Sequence, residues 1–216
     1  MSKTPFLSKP AIESKALELI ETHYQKEIKS IQGFIDIDSI VEKTLGYELT
    51  FKDLSIMFNA PNILGYINGD ERVVYIDGAL AEDSKQEGRC RYTIAHEIGH
   101  AVIHIPKPSD AIQLNLLEMD KPMSIFCREQ DIKIKMTETY DRIEYQANYF
   151  ASCLLMPRYP ILEAIKPFYG SKGIQRYAFN MTEAVPVLAK QFRVSNQAMK
   201  YRLEEFQHYG EELMFL

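Results

Sequence analysis

Thr93-Ile94-Ala95-His96-Glu97-Ile98-Gly99-His100-Ala101-Val102-Ile103-His104 is the stretch on which the reading of this 216-residue chain turns. Two histidines four apart on a helix lie on one face about 6 Å apart along the axis, close enough to hold one ion together. At about 100° per residue, Thr93, His96, Glu97, His100 and His104 gather on one arc, and Ile94, Ala95, Ile98, Ala101, Val102 and Ile105 fall on the opposite one. Such a helix has a chemical face and a core face. Glu97 stands beside the histidines but points off their direction, which suits a carboxylate that touches an activated water and not the metal. His96 and His100 are therefore read as ligands of one zinc ion (Zn2+), and Glu97 as the general base. The helix is expected over 84–105, stopped by Pro106 and Pro108, which cannot continue it.

Two imidazoles leave zinc short of the third protein ligand that catalytic sites recruit. A third histidine six residues after His100 would give the metzincin spacing, but Pro106 stands there and Ile103 takes the place of that pattern's glycine. His104 lies about 12 Å along the axis from His96, too far to share the ion. Beyond it the one histidine is His208, which leaves Glu118, Glu129, Asp131, Glu138, Asp141 and Glu144. Glu144 is favoured by its surroundings. On a helix expected over 141–155 it shares a face with Ala147, Asn148 and Ala151, and small side chains there, with Gly99 opposite, let two helices approach closely. Asn148, one turn on, is placed to accept from the ring N–H of a ligand histidine. Candidates for stabilising an oxyanion or touching substrate are His104, Tyr140, Arg142 and Tyr145, and spacing does not choose among them. Cys127 is an alternative, removable thiolate ligand.

The rest of the chain reads as a mixed α+β protein. A helix is expected over 11–31, a shorter one over 38–45 ended by Gly46, and a strand over 47–51. Strands 63–67 and 72–76 flank Asn68-Gly69-Asp70, a tight-turn signal built on positive φ angles. The second of these strands is a candidate edge for an extended peptide. Ile132, Ile134 and Met136 alternate with lysines like a half-exposed strand, and 159–216 looks mostly helical. A net charge of −5 argues against broad attraction to nucleic acid or anionic membranes. With no secretion signal and no run of eighteen apolar residues, the expected location is cytoplasmic, without membrane contact. Cys90, Cys127 and Cys153, odd in number and widely spaced, read as small buried hydrophobes, not as a disulfide framework.

Residues 183–206 have helix-turn-helix character, with a turn at Arg193-Val194 and Ser195 capping the second helix. Four basic residues (Lys190, Arg193, Lys200, Arg202) against three acidic ones make a weak phosphate footprint, so DNA binding is the lesser reading there. A zinc-stabilised adaptor without catalysis is the other alternative. Glu97 speaks against it, since an adaptor has no need of a base beside the metal.

Arg91-Tyr-Thr-Ile-Ala-His-Glu-Ile-Gly-His-Ala101 and Glu144-Tyr-Gln-Ala-Asn-Tyr-Phe-Ala-Ser-Cys-Leu-Leu-Met-Pro157 together resemble the ImmA/IrrE family of metallopeptidases. The likeness extends to the hairpin and to 188–203, and so covers most of the chain from Ile63 on. It implies a gluzincin-like zinc metalloendopeptidase in which His96, His100 and Glu144 bind zinc and Glu97 is catalytic. It also implies a zincin-like domain in residues 1–157, a small mixed sheet plus the active-site helix, followed by a helical C-terminal unit in residues 158–216. The implied partner is a protein substrate, a helix-turn-helix repressor whose cleavage releases transcription of its genes. The long 106–139 segment departs from the family pattern and bears on specificity.

Overall fold

The computed structural model describes residues 7–105, 124–128, 138–169 and 179–209, with backbone alone for 124–128, 138–141 and 207–209. Helix α1 spans Lys9–Tyr24, with Ser8 accepting the Ala11 N–H and Pro10 in the first turn, where its missing donor costs nothing. It stops seven residues before the apolar spacing does, because Gln25 turns left-handed (φ 52°). Ile28 and Ile31 still face the core, but from a 3-10 turn at Ile28–Ser30. The second expected helix begins as α2 (Ile37–Ser39), widens into a π-wound stretch at Ile40–Leu45, and ends at Gly46 with φ 67°.

Strands β1 (Glu48–Lys52), β2 (Ile63–Asn68), β3 (Val73–Asp77) and β4 (Ser124–Arg128) form one mixed sheet in the order β1-β3-β2-β4. β1 runs parallel to β3, and β2 runs antiparallel to both β3 and β4. The β2–β3 hairpin forms, but not through the expected tight turn at Gly69. Asn68 Oδ1 accepts the N–H groups of Asp70 and Glu71, and Arg72 (φ 55°) takes the left-handed position that brings the chain back. β3 lies between β1 and β2, so it has no edge to offer a peptide, contrary to the expectation for 72–76. β4 is the strand that sequence periodicity did not show. The alternation at 132–136 lies outside the described residues.

One face of the sheet packs on α5 (Glu87–Ile103). Leu64, Ile67, Val74 and Ile76 join Ile94, Ala95 and Ile98 in the main core. On the other face Tyr66 stacks on Tyr75, with Leu54 of the short α3 (Leu54–Phe58) beside them. After α4 (Gly78–Glu82) comes α5, and α6 (Glu138–Leu155) then lies against both α5 and α1. α7 (Arg158–Ala164) follows Pro157, and α8 (Met181–Phe192) and α9 (Asn196–Tyr209) pair at the end. Ser195 Oγ accepts the Ala198 N–H at the start of α9, as a cap should. The α8–α9 turn sits on the beginning of α5: a Cβ at Gly88 would lie 2.7 Å from the Ser195 nitrogen. Cys90 and Cys153 are free and buried, and burial pushes their thiols up to about 11 and about 12. Among the described residues no helix is long and apolar enough to cross a membrane.

Candidate metal centre

Helix α5 is buried on both of its faces, which is why its polar arc carries chemistry and not solvation. His96 is 1% exposed, and Glu97 and His100 are 0%. The two histidine Nε2 atoms converge to 2.9 Å of one another. Glu144, on α6 and 2% exposed, meets them with Oε2 3.1 Å from His96 Nε2 and Oε1 3.5 Å from His100 Nε2. α6 comes this close because of the small residues foreseen at the crossing: a Cβ on Gly99 would lie 3.1 Å from the Cα and carbonyl oxygen of Ala147.

Each of these three side chains offers one ligand atom, and the three atoms lie within 4.8 Å of one another. Burial pushes the His100 imidazole down to about 4, so it stays neutral with a lone pair to give. Burial alone would raise the Glu144 carboxyl, but the two imidazoles that face it, His100 first and then His96, outweigh burial and hold the group below the usual carboxylate range. Two imidazoles and one carboxylate, converging in a buried space, are a donor set that fits a divalent cation.

Glu97 turns the other way, against the sheet. A Cβ on Gly65 of β2 would sit 2.5 Å from Glu97 Oε1 and 2.8 Å from Thr93 Cγ2, so the absent side chain is what lets the carboxylate reach the strand. Both Glu97 oxygens are buried without a hydrogen-bond partner among the described residues. Burial first, and then the charge of Glu144, hold this carboxyl well above its ordinary value.

The outer contacts divide the remaining candidates. Asn148 Oδ1 lies 3.0 Å from His96 Nδ1, as expected, and the Tyr92 hydroxyl donates to the same oxygen at 3.3 Å and to the Asn148 carbonyl at 3.1 Å. His104 stays out of the ligand set and puts its Nδ1 3.0 Å from His100 Nδ1. Arg142 is exposed. Tyr145 is 43% exposed and stacks on Tyr149, whose ring also faces Lys9 and Arg202 on the α1–α9 side of α6. The side chain of Tyr140 lies outside the described residues, as does that of Cys127, although the β4 backbone pairs Cys127 with Gly65.

Sequence reasoning missed Gly65 and Tyr92. For Gly65 the signal was present: a lone glycine inside a strand marks a bulge or a close approach, and the β2–β4 register shifts between Ile63 and Gly65. Tyr92 gave none, since its partner is 56 residues away.

A family model described as the IrrE N-terminal-like domain, of the peptidase M78 type, matches residues 72–204, more than half of the chain, with His96, Glu97, His100 and Glu144 inside the match. No curated protein matches the sequence.

Proposed function

The chain belongs to the family of IrrE N-terminal-like peptidase domains, and on that premise we propose that it is a zinc-dependent endopeptidase with Glu97 as general base and a helix-turn-helix repressor as its substrate. The observation that carries the chemistry is the buried triad of His96, His100 and Glu144, with Glu97 on the next residue of the same helix. A zinc ion held by the three supplies a Lewis acid that acidifies water and polarises a carbonyl, and its charge favours the ionised form of Glu97.

The residues do the rest. Glu97 Oε1 and Oε2, facing no protein donor among the described residues, accept the proton of the attacking water and carry it to the departing amine. Gly65, without a side chain, leaves the carboxylate its place beside β2. Asn148 holds the His96 ring by its Nδ1 edge, which fixes the tautomer whose Nε2 lone pair faces the ion. β4, outermost among the described strands and beside β2, offers main-chain groups to an extended segment of substrate.

Family kinship supports the repressor assignment. The charge pattern of the C-terminal helices agrees with a protein-directed role in place of DNA binding. Of their four basic residues, Arg202 is buried, Arg193 pairs with Glu87 and Lys200 pairs with Glu204.

Repressors encoded beside this gene, incubated with zinc-loaded wild-type or Glu97→Gln protein and read by mass spectrometry, test the proposal. Wild type is expected to produce one cleavage, and Glu97→Gln to keep its zinc and lose at least a hundredfold in rate, the usual scale for a general base. Glu144→Ala is expected to lose zinc. Cleavage by Glu97→Gln at the wild-type rate would overturn the assignment.

A further inference from the structure

His104 is the one histidine on the inner arc of α5 that the zinc reading leaves without work. It is placed one turn after His100, at the end of the helix, with ring centroids 5.0 Å apart and Nδ1 facing Nδ1 at 3.0 Å. Its other nitrogen, Nε2, is buried and has no hydrogen-bond partner among the described residues. We infer that His104 is the positioning residue for His100, the counterpart of Asn148 for His96. The inference rests on the metal-site reading above.

Tautomer bookkeeping carries it. His100 Nε2 faces His96 Nε2 and Glu144 Oε1, so that nitrogen must keep its lone pair for the ion. A neutral imidazole then bears its proton on Nδ1 and can only donate from there. The atom 3.0 Å away is His104 Nδ1, which must therefore be an acceptor, and this puts the His104 proton on Nε2. The cost is visible: the proton-bearing Nε2 is a buried donor with nothing to donate to among the described residues. An apolar side chain of similar shape would remove that cost, and without the ion the His100 proton can sit on Nε2, which faces Glu144, so folding alone does not call for histidine at position 104. What histidine supplies is an acceptor for His100, which turns the ring and makes its Nε2 a better ligand.

The experiment compares wild type, His104→Leu and His104→Gln for zinc affinity by chelator competition, for the visible spectrum of the cobalt-loaded protein, and for thermal stability without metal. His104→Leu is expected to bind zinc ten- to a hundredfold more weakly, the range for losing such a partner, with a shifted cobalt spectrum and undiminished metal-free stability. His104→Gln, whose amide oxygen can accept from His100, is expected to recover most of the affinity and the wild-type spectrum. Nitrogen NMR of the wild type should find His104 with its proton on Nε2. A His104→Leu protein with wild-type affinity and spectrum, or a wild-type His104 protonated on Nδ1, overturns the role of His104 alone. A wild-type protein that binds neither zinc nor cobalt overturns the metal site itself and this inference with it.

Discussion

Gly65 shows how much of this site depends on an atom that is not there. The strand conformation at this position is ordinary, so alanine would be tolerated by the backbone; the obstacle is the Glu97 carboxylate, 2.5 Å from where the new methyl would stand. Of the two neighbours the carboxylate is the one free to swing, since Thr93 is held through its hydroxyl to the Arg89 carbonyl. Gly65→Ala is therefore expected to displace Glu97 by about 1 Å, leave the three ligands untouched, and lower kcat by roughly a hundredfold, the scale set by such misplacements. Zinc stoichiometry measured beside kcat checks this: a variant that loses zinc in proportion to activity would mean that the methyl had disturbed the ligand set and not the base.

Element by element, legibility followed locality. His96, Glu97 and His100 could be read from the sequence because a helix fixes their mutual geometry within one turn and a half, with no reference to the rest of the chain. Glu144 and Asn148 were legible one step further out, since Ala147 and Ala151 marked the face on which α6 could approach α5, and Gly99 does meet Ala147 there. The end of α1 was not legible, because Ile28 and Ile31 keep the apolar rhythm while the backbone leaves the helix at Gln25. β4 and the partner of Gly65 depend on which strand passes over which helix; the lone glycine marks a close approach but not what approaches. The two glycines of α5 separate packing from chemistry. Gly99→Val forces α5 off Ala147, and Gly88→Val forces it off the backbone of Val194 and Ser195. Each is expected to cost about 1–3 kcal/mol by overpacking. Only Gly99→Val should also weaken zinc binding, because α6 carries Glu144 and the α8–α9 turn carries no ligand. Equal loss of zinc affinity in both variants would show that the site responds to global loosening and not to the α5–α6 distance.

Across the whole molecule the ends of the chain are joined by a buried charge. Arg202 of α9, 1% exposed, donates to Glu13 of α1 at 2.9 Å, to Glu205 at 2.9 Å and to the Met156 carbonyl at 3.1 Å, while Lys9 reaches Glu205 at 2.7 Å. The sequence presented Arg202 as one basic residue among four in the helix-turn-helix-like segment; its partners lie up to 189 residues away, beyond any local pattern. Arg202→Met would take from Glu13 and Glu205 the buried cation they share, leaving each with one partner, Arg158 and Lys9, which is expected to cost about 2 kcal/mol at neutral pH. The sign of the pH dependence follows from Glu205. Burial would raise its carboxyl, but Arg202 and then Lys9 outweigh burial and hold it below its ordinary value of 4.5. A group depressed on folding contributes its full stabilisation above its unfolded value and loses it as pH falls through the folded one. The gap between wild type and Arg202→Met should therefore be widest at pH 7, begin to close below about pH 4.5, and keep closing as Glu205 protonates. Urea unfolding of the two proteins with chelator present, at pH 7 and again near pH 3.5, measures both gaps and cancels the acid response of the histidines common to both. A gap of equal size at the two pH values would mean that Arg202 holds α9 through its packing on Phe206 and Tyr149 and not through its charge.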